Sequence, residues 1–391
     1  MTAVAAPPEA LRIAMFSESY LPRTSGVVHS VAAFASALRA RGHRVVVAAP
    51  RIRGYRDADP DVIRYPSIPT REPDFALGLW WAPAAERAVE AAAPDVVHTH
   101  GPFLMGRAAA RVARRRGAPL VFTHHTLYDE YVHYVPGPRW MWRPLVRRYV
   151  ARYANRCACV LAPSAALASR LRAQGVRCRV EILPTGAVDP DLLASLDPRW
   201  VRPTFGIPAG QPLLVTASRL APEKSVDLVL RAFGRVAARR DAVLLVIGGG
   251  PEETALRRLA GRLGVAGRVV FAGRQPHRRT LECMAAADAF IFGSQTETQG
   301  LVLVEALACG CPVVAVDAGG VGDVVTDGET GYLVPASADA LARRVLEILD
   351  DPARRAALAA RGKEVSRQFA LPVLAARLEQ IYWSVLPVRR T

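Results

Sequence analysis

Two carboxylates stand where a polar loop runs into an apolar stretch: Glu297 and Glu305 in SQTETQGLVLVEALACGCPVVA (294–315), with seven residues between them. Acids so placed serve as a hydrolytic pair, as a clamp on polyol hydroxyls, or merely as a loop acid and a partly buried acid paired to Arg. If a helix starts at Gly300, Glu297 precedes it and Glu305 falls in its second turn. Eight helical steps then separate the two by about 12 Å, against roughly 5 Å for a retaining glycosidase pair. Hydrolysis is disfavoured, and spacing alone leaves the clamp and the structural pairing open.

A second set of groups suits an anion. SRLAPEKS (218–225) places Arg219 and Lys224 between a strand end and the next helix. Arg grips two phosphate oxygens, Lys acts as a mobile point charge, and helix-start amides add donors. The amides of Gly300, Leu301 and Val302, preceded by Gln299, would point at the same diphosphate. Gly26 after the first strand and the glycines at 248–250 lack G-x-G-x-x-G spacing, which disfavours a nicotinamide enzyme.

The first half carries a third set: His98, His100 and Phe103 in HTHGPF (98–103), and His124, His125, Tyr128, Asp129, Glu130, Tyr131 and His133 in VFTHHTLYDEYVHY (121–134). His98 and His100 project to one side of an extended chain, and His124 or His125 offers a third nitrogen for a metal. An Arg/Lys phosphate site removes the need for a cation, and Asp57-Ala-Asp59 lies in a Pro-bounded loop instead of at a strand end. We therefore expect no metal and no resident cofactor. Histidines satisfied within the core remain the competing account, above all for His98 and His133.

The positioning elements follow from periodicity. LRIAMFS (strand), SGVVHSVAAFASALRARG (helix) and HRVVVAAP (strand) form a β-α-β unit, and the alternation continues through PDVVHTH, APLVFTHH, CACVLAPS and CRVEILP. It restarts after a proline-interrupted stretch with PLLVTAS, AVLLVIGGG, RVVFAG and AFIFGS. The expected fold class is α/β: two doubly wound domains, 1–188 and 189–369, meeting somewhere in 183–212 and facing a central cleft, with a C-terminal helix in 370–391 that could return to the first domain. Ligands of such sheets bind beyond the carboxyl ends of the strands. With 391 residues, 51% hydrophobic, two domains of ordinary size are expected. No apolar run has the length of a membrane span and the N-terminus has no export-signal pattern, so a cytoplasmic location is expected. Six cysteines without a C-x-x-C pair read as buried thiols.

The ensemble SRLAPEK (218–224), VIGGGPE (246–252), VVFAG (269–273), AADAFIFGS (286–294), ETQGLVLVEALACG (297–310) and GETGYLV (328–334) strongly resembles family-4 glycosyltransferases of the GT-B fold, over nearly the whole chain. The resemblance implies a retaining transferase that holds its nucleotide sugar mainly in the second domain. It implies Glu305 on the ribose hydroxyls, Glu297 on the donor sugar, Arg219 and Lys224 on the diphosphate, Gly26 approaching the phosphates, and His125 as the active-site histidine. Two departures, Thr298-Gln299 where relatives carry Phe before the glycine and PTGAVDP (184–190) for Asn-Gly-Val-Asp, leave the sugar open. The turns around His98–Phe103 and His125–Tyr134 also resemble those of bacterial diacylglycerol glucosyltransferases, which implies a lipid acceptor met by His98, His100, Phe103, Tyr128, Tyr131 and His133.

Charge agrees with such an acceptor. The formal net charge is +16, and residues 1–190 hold 26 Arg, no Lys and 14 acids, a net +12. GPRWMWRPLVRRYVARYANR (137–156) mixes Trp140 and Trp142 with Arg143, Arg147, Arg148, Arg152 and Arg156; if a helix starts at Pro144, the last three arginines share a face. A basic stripe with interfacial tryptophans suits an anionic membrane, although a solvated helix face has the same composition. The reading is a peripheral enzyme on the cytoplasmic membrane face that moves glucose from UDP-glucose to diacylglycerol or a related lipid. GDP-mannose with phosphatidylinositol or a soluble acceptor is the alternative within the class. A nonenzymatic nucleic-acid-binding protein is the alternative outside it, though no nucleic-acid module is recognisable.

Overall fold

The computed structural model describes residues 10–23, 25–70, 76–79, 81–130, 137–185 and 188–387. The chain runs β1 (Arg12–Phe16), α1 (Gly26–Ala40), β2 (Arg44–Pro50), β3 (Val62–Tyr65), a hairpin of β4 (Ser67–Pro69) and β5 (Ala76–Gly78), α2 (Pro83–Ala91), β6 (Val96–Thr99), α3 (Leu104–Arg116), β7 (Leu120–Thr123), α4 (Arg139–Ala154), β8 (Cys159–Ala162), α5 (Ala165–Ala173) and β9 (Val180–Ile182). It continues through α6 (Pro190–Ala194), α7 (Val201–Thr204), β10 (Leu213–Ala217), α8 (Val226–Ala237), β11 (Val243–Ile247), α9 (Glu253–Arg262), β12 (Val269–Gly273), α10 (His277–Ala285), β13 (Ala289–Phe292) and α11 (Leu301–Ala308). The last elements are β14 (Val313–Val316), β15 (Gly331–Val334), α12 (Ala338–Asp350), α13 (Pro352–Ser366) and α14 (Leu371–Val385).

These elements form two compact units, one of residues 1–163, 168–185 and 371–391, the other of 164–167 and 186–370. Each holds one parallel sheet, ordered β3-β2-β1-β6-β7-β8-β9 in the first and β12-β11-β10-β13-β14-β15 in the second. Strands covered on both faces should read as continuous apolar runs, and β10 (LLVTA) and β11 (VLLVI) are buried at every residue. Edge strands β9 and β12 are only partly buried. Side chains of β11 alternate between two cores: Leu244 and Val246 join the one formed with α8 and α12, while Val243, Leu245 and Ile247 join the one with α10 and α11. Cutting Leu245 back to Ala would cost about 2–5 kcal/mol.

Strand order reverses between β1 and β6 and between β10 and β13. At such switch points the loops after neighbouring strands diverge and leave room for a ligand. The loops there carry Glu18 and His100 in the first unit, and Arg219 and Glu297 in the second.

The final helix belongs to the first unit. Leu374, Leu378, Ile381 and Tyr382 of α14 are buried, and the chain's far end is tied to its beginning by Arg41 Nε, which donates to Glu379 Oε2 at 2.7 Å. All six cysteines are free thiols, with Cys157, Cys159, Cys283 and Cys311 buried. Asp57 and Asp59 are bound to Arg64 and Arg39, so this D-x-D serves structure.

Candidate active site

In the second unit, glycines set the backbone. Gly300 has φ 82° and precedes α11, whose first turn carries no side-chain cap. Its first amides therefore keep donor capacity toward an anion. Gly319 and Gly320 press on the preceding loop: a Cβ on Gly319 would lie 2.2 Å from the Glu297 carbonyl oxygen, and one on Gly320 2.3 Å from that of Thr298. The Gly320 amide donates to Glu297 O at 3.0 Å. On the neighbouring strand, Cβ atoms on Gly248 and Gly250 would collide with the carbonyls of Ser218 and Leu220. Glycine is what lets these loops stack this closely, and the stacking fixes where Arg219 and Glu297 start.

Lys224 Nζ donates to Glu297 Oε1 at 2.6 Å, and both side chains are mostly buried. Arg219 is half-exposed, its Nη1 4.0 Å from Glu223. Glu305, in the second turn of α11, accepts from or shares a proton with His277 Nε2 at 2.8 Å. That hydrogen bond raises the His277 pKa above its ordinary value, outweighing burial. Gln299 is buried, and Leu301 and Val302 are partly so. One end of this constellation thus offers a Lys/Glu pair beside open helix amides, the other a Glu/His pair one turn further along α11. It can neutralise a diphosphate and accept hydroxyl protons on either side.

In the first unit, the ends of β6 and β7 bring His98, His100, His124 and His125 together. His98 is 1% exposed, its Nδ1 2.7 Å from Tyr382 Oη and its Nε2 2.7 Å from Thr123 Oγ1. One ring nitrogen thus ties the sheet to α14 and the other ties β6 to β7. This corrects the sequence expectation: His98 is structural and has no nitrogen left for an acceptor. His100 Nδ1 lies 2.9 Å from His125 Nε2, and the two rings stack. Burial holds these rings neutral, pushing His98 and His125 down to about 3 and His124 to about 4, with His100 also lowered. Among the described residues no group of three or more His, Cys, Asp or Glu is set to hold a metal.

Phe103, Tyr128 and Tyr149 form an aromatic cluster, Phe103 meeting Tyr128 edge-on at 5.0 Å and stacking on Tyr149 at 5.7 Å. Tyr131 and His133 lie outside the described residues. Gly26 opens α1 behind Ser25, whose Oγ accepts from the Val28 amide.

Helix α4 begins at Arg139, not at Pro144, which sits inside it. Trp140 is 77% and Leu145 52% exposed, and Met141 is exposed beside them. Arg148, Arg152 and Arg156 are exposed as well. Arg143 and Arg147 differ from expectation: Arg143 pairs with Glu130, and Arg147 Nε donates to Asp129 Oδ2 at 2.7 Å. Arg170 Nη2 reaches the same two acids at 2.7 Å. Burial raises the Asp129 pKa, but Arg147 and Arg170 more than offset it and hold the carboxylate ionised. These arginines brace the loop after β7 through Asp129 and Glu130, leaving Trp140 and the Arg148/Arg152/Arg156 stripe exposed; Trp142 is only partly exposed.

Two acids and bases escaped the sequence reading. His277, first residue of α10 after β12, was findable by the strand-end rule that singled out Arg219. Glu18, after β1, accepts from the Met105 and Gly106 amides at 3.0 and 3.3 Å, so it occupies the start of α3. Burial raises its pKa despite those bonds.

Comparison with known proteins agrees with these two sheets and their loops. The family described as Glycosyl transferases group 1 matches residues 201–365, and Glycosyltransferase Family 4 matches 24–191. The chain is 34% identical to a GDP-mannose-dependent alpha-mannosyltransferase of Mycobacterium tuberculosis, covering 97% of this chain and 98% of that one. It is 31% identical to an alpha-monoglucosyldiacylglycerol synthase of Streptococcus pneumoniae, covering 87% and 78%. Anabaena HepE in complex with UDP superposes with a TM-score of 0.77 at 22% identity, covering 96% and 100%; sucrose-phosphate synthase of Thermosynechococcus elongatus does so with 0.78 at 23%, covering 95% and 98%. The chain belongs to the family-4 glycosyltransferases of the GT-B fold and is a hexosyltransferase.

Proposed function

We propose that this enzyme transfers glucose from UDP-glucose to the hydroxyl of diacylglycerol or a related lipid, with retention, while resting on the cytoplasmic face of an anionic membrane. The observation that carries the transfer chemistry is the Lys224–Glu297 pair beside the uncapped start of α11. Glu297 accepts hydroxyl protons of the donor sugar, Lys224 and Arg219 neutralise the diphosphate as the glycosidic bond breaks, and Glu305 holds the ribose, with His277 behind it. Oriented donors in a water-poor site stabilise the leaving group without reorganising. The leaving phosphate takes the acceptor proton on the same face, so no covalent nucleophile and no metal are needed.

The lipid acceptor is supported by α4, where Trp140, Met141 and Leu145 stand exposed on the helix that also carries Arg148, Arg152 and Arg156. No helix of the described residues is long and apolar enough to cross a membrane, so contact would be peripheral. Relatives named for diacylglycerol and for phosphatidylinositol mannoside point to lipid acceptors as well. The relatives named as GDP-mannose-dependent mannosyltransferases of phosphatidylinositol monomannoside favour a second reading, GDP-mannose as donor and a phosphatidylinositol-type lipid as acceptor.

A thermal-shift comparison of UDP-glucose with GDP-mannose, followed by product mass on vesicles of diacylglycerol and anionic lipid, separates the two. A hexosyl-diacylglycerol formed from UDP-glucose, undiminished by EDTA, is the expected product. Transfer confined to water-soluble acceptors would overturn the lipid reading.

A further inference from the structure

His100 is 3% exposed, and its two ring nitrogens have unequal surroundings. Nδ1 meets His125 Nε2 at 2.9 Å, whereas Nε2 is buried with no hydrogen-bonding partner among the described residues. The ring lies between those of His98, 4.2 Å away, and His125, 5.2 Å away. His98 is itself fixed through both nitrogens by Tyr382 and Thr123. His100 is therefore held in a stack that leaves its ring little freedom to turn.

Neutral imidazoles carry one proton each, so the His100–His125 contact needs an N–H on one ring and a lone pair on the other. If His125 donates, the proton of His100 must sit on Nε2, creating a buried N–H with nothing to receive it. If His100 donates from Nδ1, its Nε2 keeps only an unused lone pair, and the proton of His125 moves to Nδ1. Orphaned buried N–H groups are rarer in folded proteins than under-used acceptors, because a donor stripped of water loses its single interaction outright.

We propose that His100 is a positioning residue that fixes His125 as the tautomer protonated on Nδ1, so that His125 Nε2 is held as an acceptor from His100 and cannot serve as a base. Its catalytic half rests on the active-site place given to His125 by family resemblance; its tautomeric half does not. With Nε2 occupied by His100, the ring cannot take a proton from an acceptor hydroxyl through that atom.

The test is ring nitrogen-15 spectroscopy on protein labelled at its eight histidines, combined with turnover of His100→Phe and His100→Asn. Phe keeps the stacked ring without a nitrogen, and the Asn amide places a donor near the Nδ1 position. Wild type and His100→Asn should show His125 protonated at Nδ1 and bare at Nε2, and His100→Phe should lose that pattern. Turnover should fall roughly tenfold or more in His100→Phe, with donor KM little changed, and be largely recovered by Asn. His125 protonated at Nε2 in the wild type, or a Phe variant matching wild type in both measurements, would overturn the proposal. Full turnover in His125→Ala would overturn the catalytic half alone, since the ring signals of His100 and His125 in wild type report the tautomer independently.

Discussion

The two units treat charge in opposite ways at the carboxyl ends of their strands. Beyond β6 and β7, four histidines are stripped of charge by burial. Beyond β10 and β13, Lys224 and Glu297 are retained as an ion pair, and His277 is biased toward protonation by Glu305. A neutral, desolvated set suits hydroxyls and an aglycone; a set of paired charges suits a dianion that arrives with its own field. The basic excess of residues 1–190, a net +12, is displayed in part on the outside, as at Arg148, Arg152 and Arg156 of α4.

Acid is the strongest way to break that contrast. A histidine whose folded pKa is depressed is stabilising above its unfolded value of about 6.5 and loses that contribution as pH falls toward the folded value, at up to about 1.4 kcal/mol per pH unit. His98, His100, His124 and His125 all act in this sense. His277 acts in the other: its contribution is complete below about 6.5 and is lost as pH rises through its raised folded value. Acidification from pH 7 to ~5 should therefore unfold the first unit ahead of the second, by several degrees, in calorimetry or hydrogen exchange. A single transition shifting as one would contradict it.

Next in size is Glu297→Ala, which should lower kcat/KM about a thousandfold, or ~4 kcal/mol, with the fold intact. Activity within threefold of wild type would remove the donor site from this loop. Replacing Arg148 and Arg152 together by Ala should weaken binding to anionic vesicles about thirtyfold, near 1 kcal/mol per arginine, and the loss should shrink in high salt. Uncharged vesicles should hardly distinguish the two proteins. The smallest effect is expected for His277→Ala, a donor KM raised about tenfold or less with kcat nearly unchanged, because it supports Glu305 without touching the reacting bond.

Much of the second unit's site was legible because its determinants are local. Gly300 before an apolar helix, and Arg219 and Lys224 after a buried strand, are short-range patterns, and the structure places all three at the β10/β13 switch. The first unit was less legible because its determinants are remote. The partner that makes His98 structural is Tyr382, 284 residues away, and no local pattern announces it. Arg143 and Arg147 stand with Trp140 and Trp142 in the expected membrane-contact group because composition shows a basic, aromatic segment but not the acids that lie opposite it. A helix start at Pro144 is a condition that the structure does not meet: α4 runs from Arg139 through Pro144, at the cost of one ladder bond. Glu18 went unnoticed because a lone acid after a strand has no signature until the start of α3 is seen upon it.

The return of α14 has an outcome during synthesis. The first sheet emerges from the ribosome long before Glu379 and Tyr382, whose contacts with Arg41 and His98 close its outer layer. The half made first must wait, incomplete, until the half made last is released, so a premature stop near residue 370 would harm the beginning of the protein more than its end.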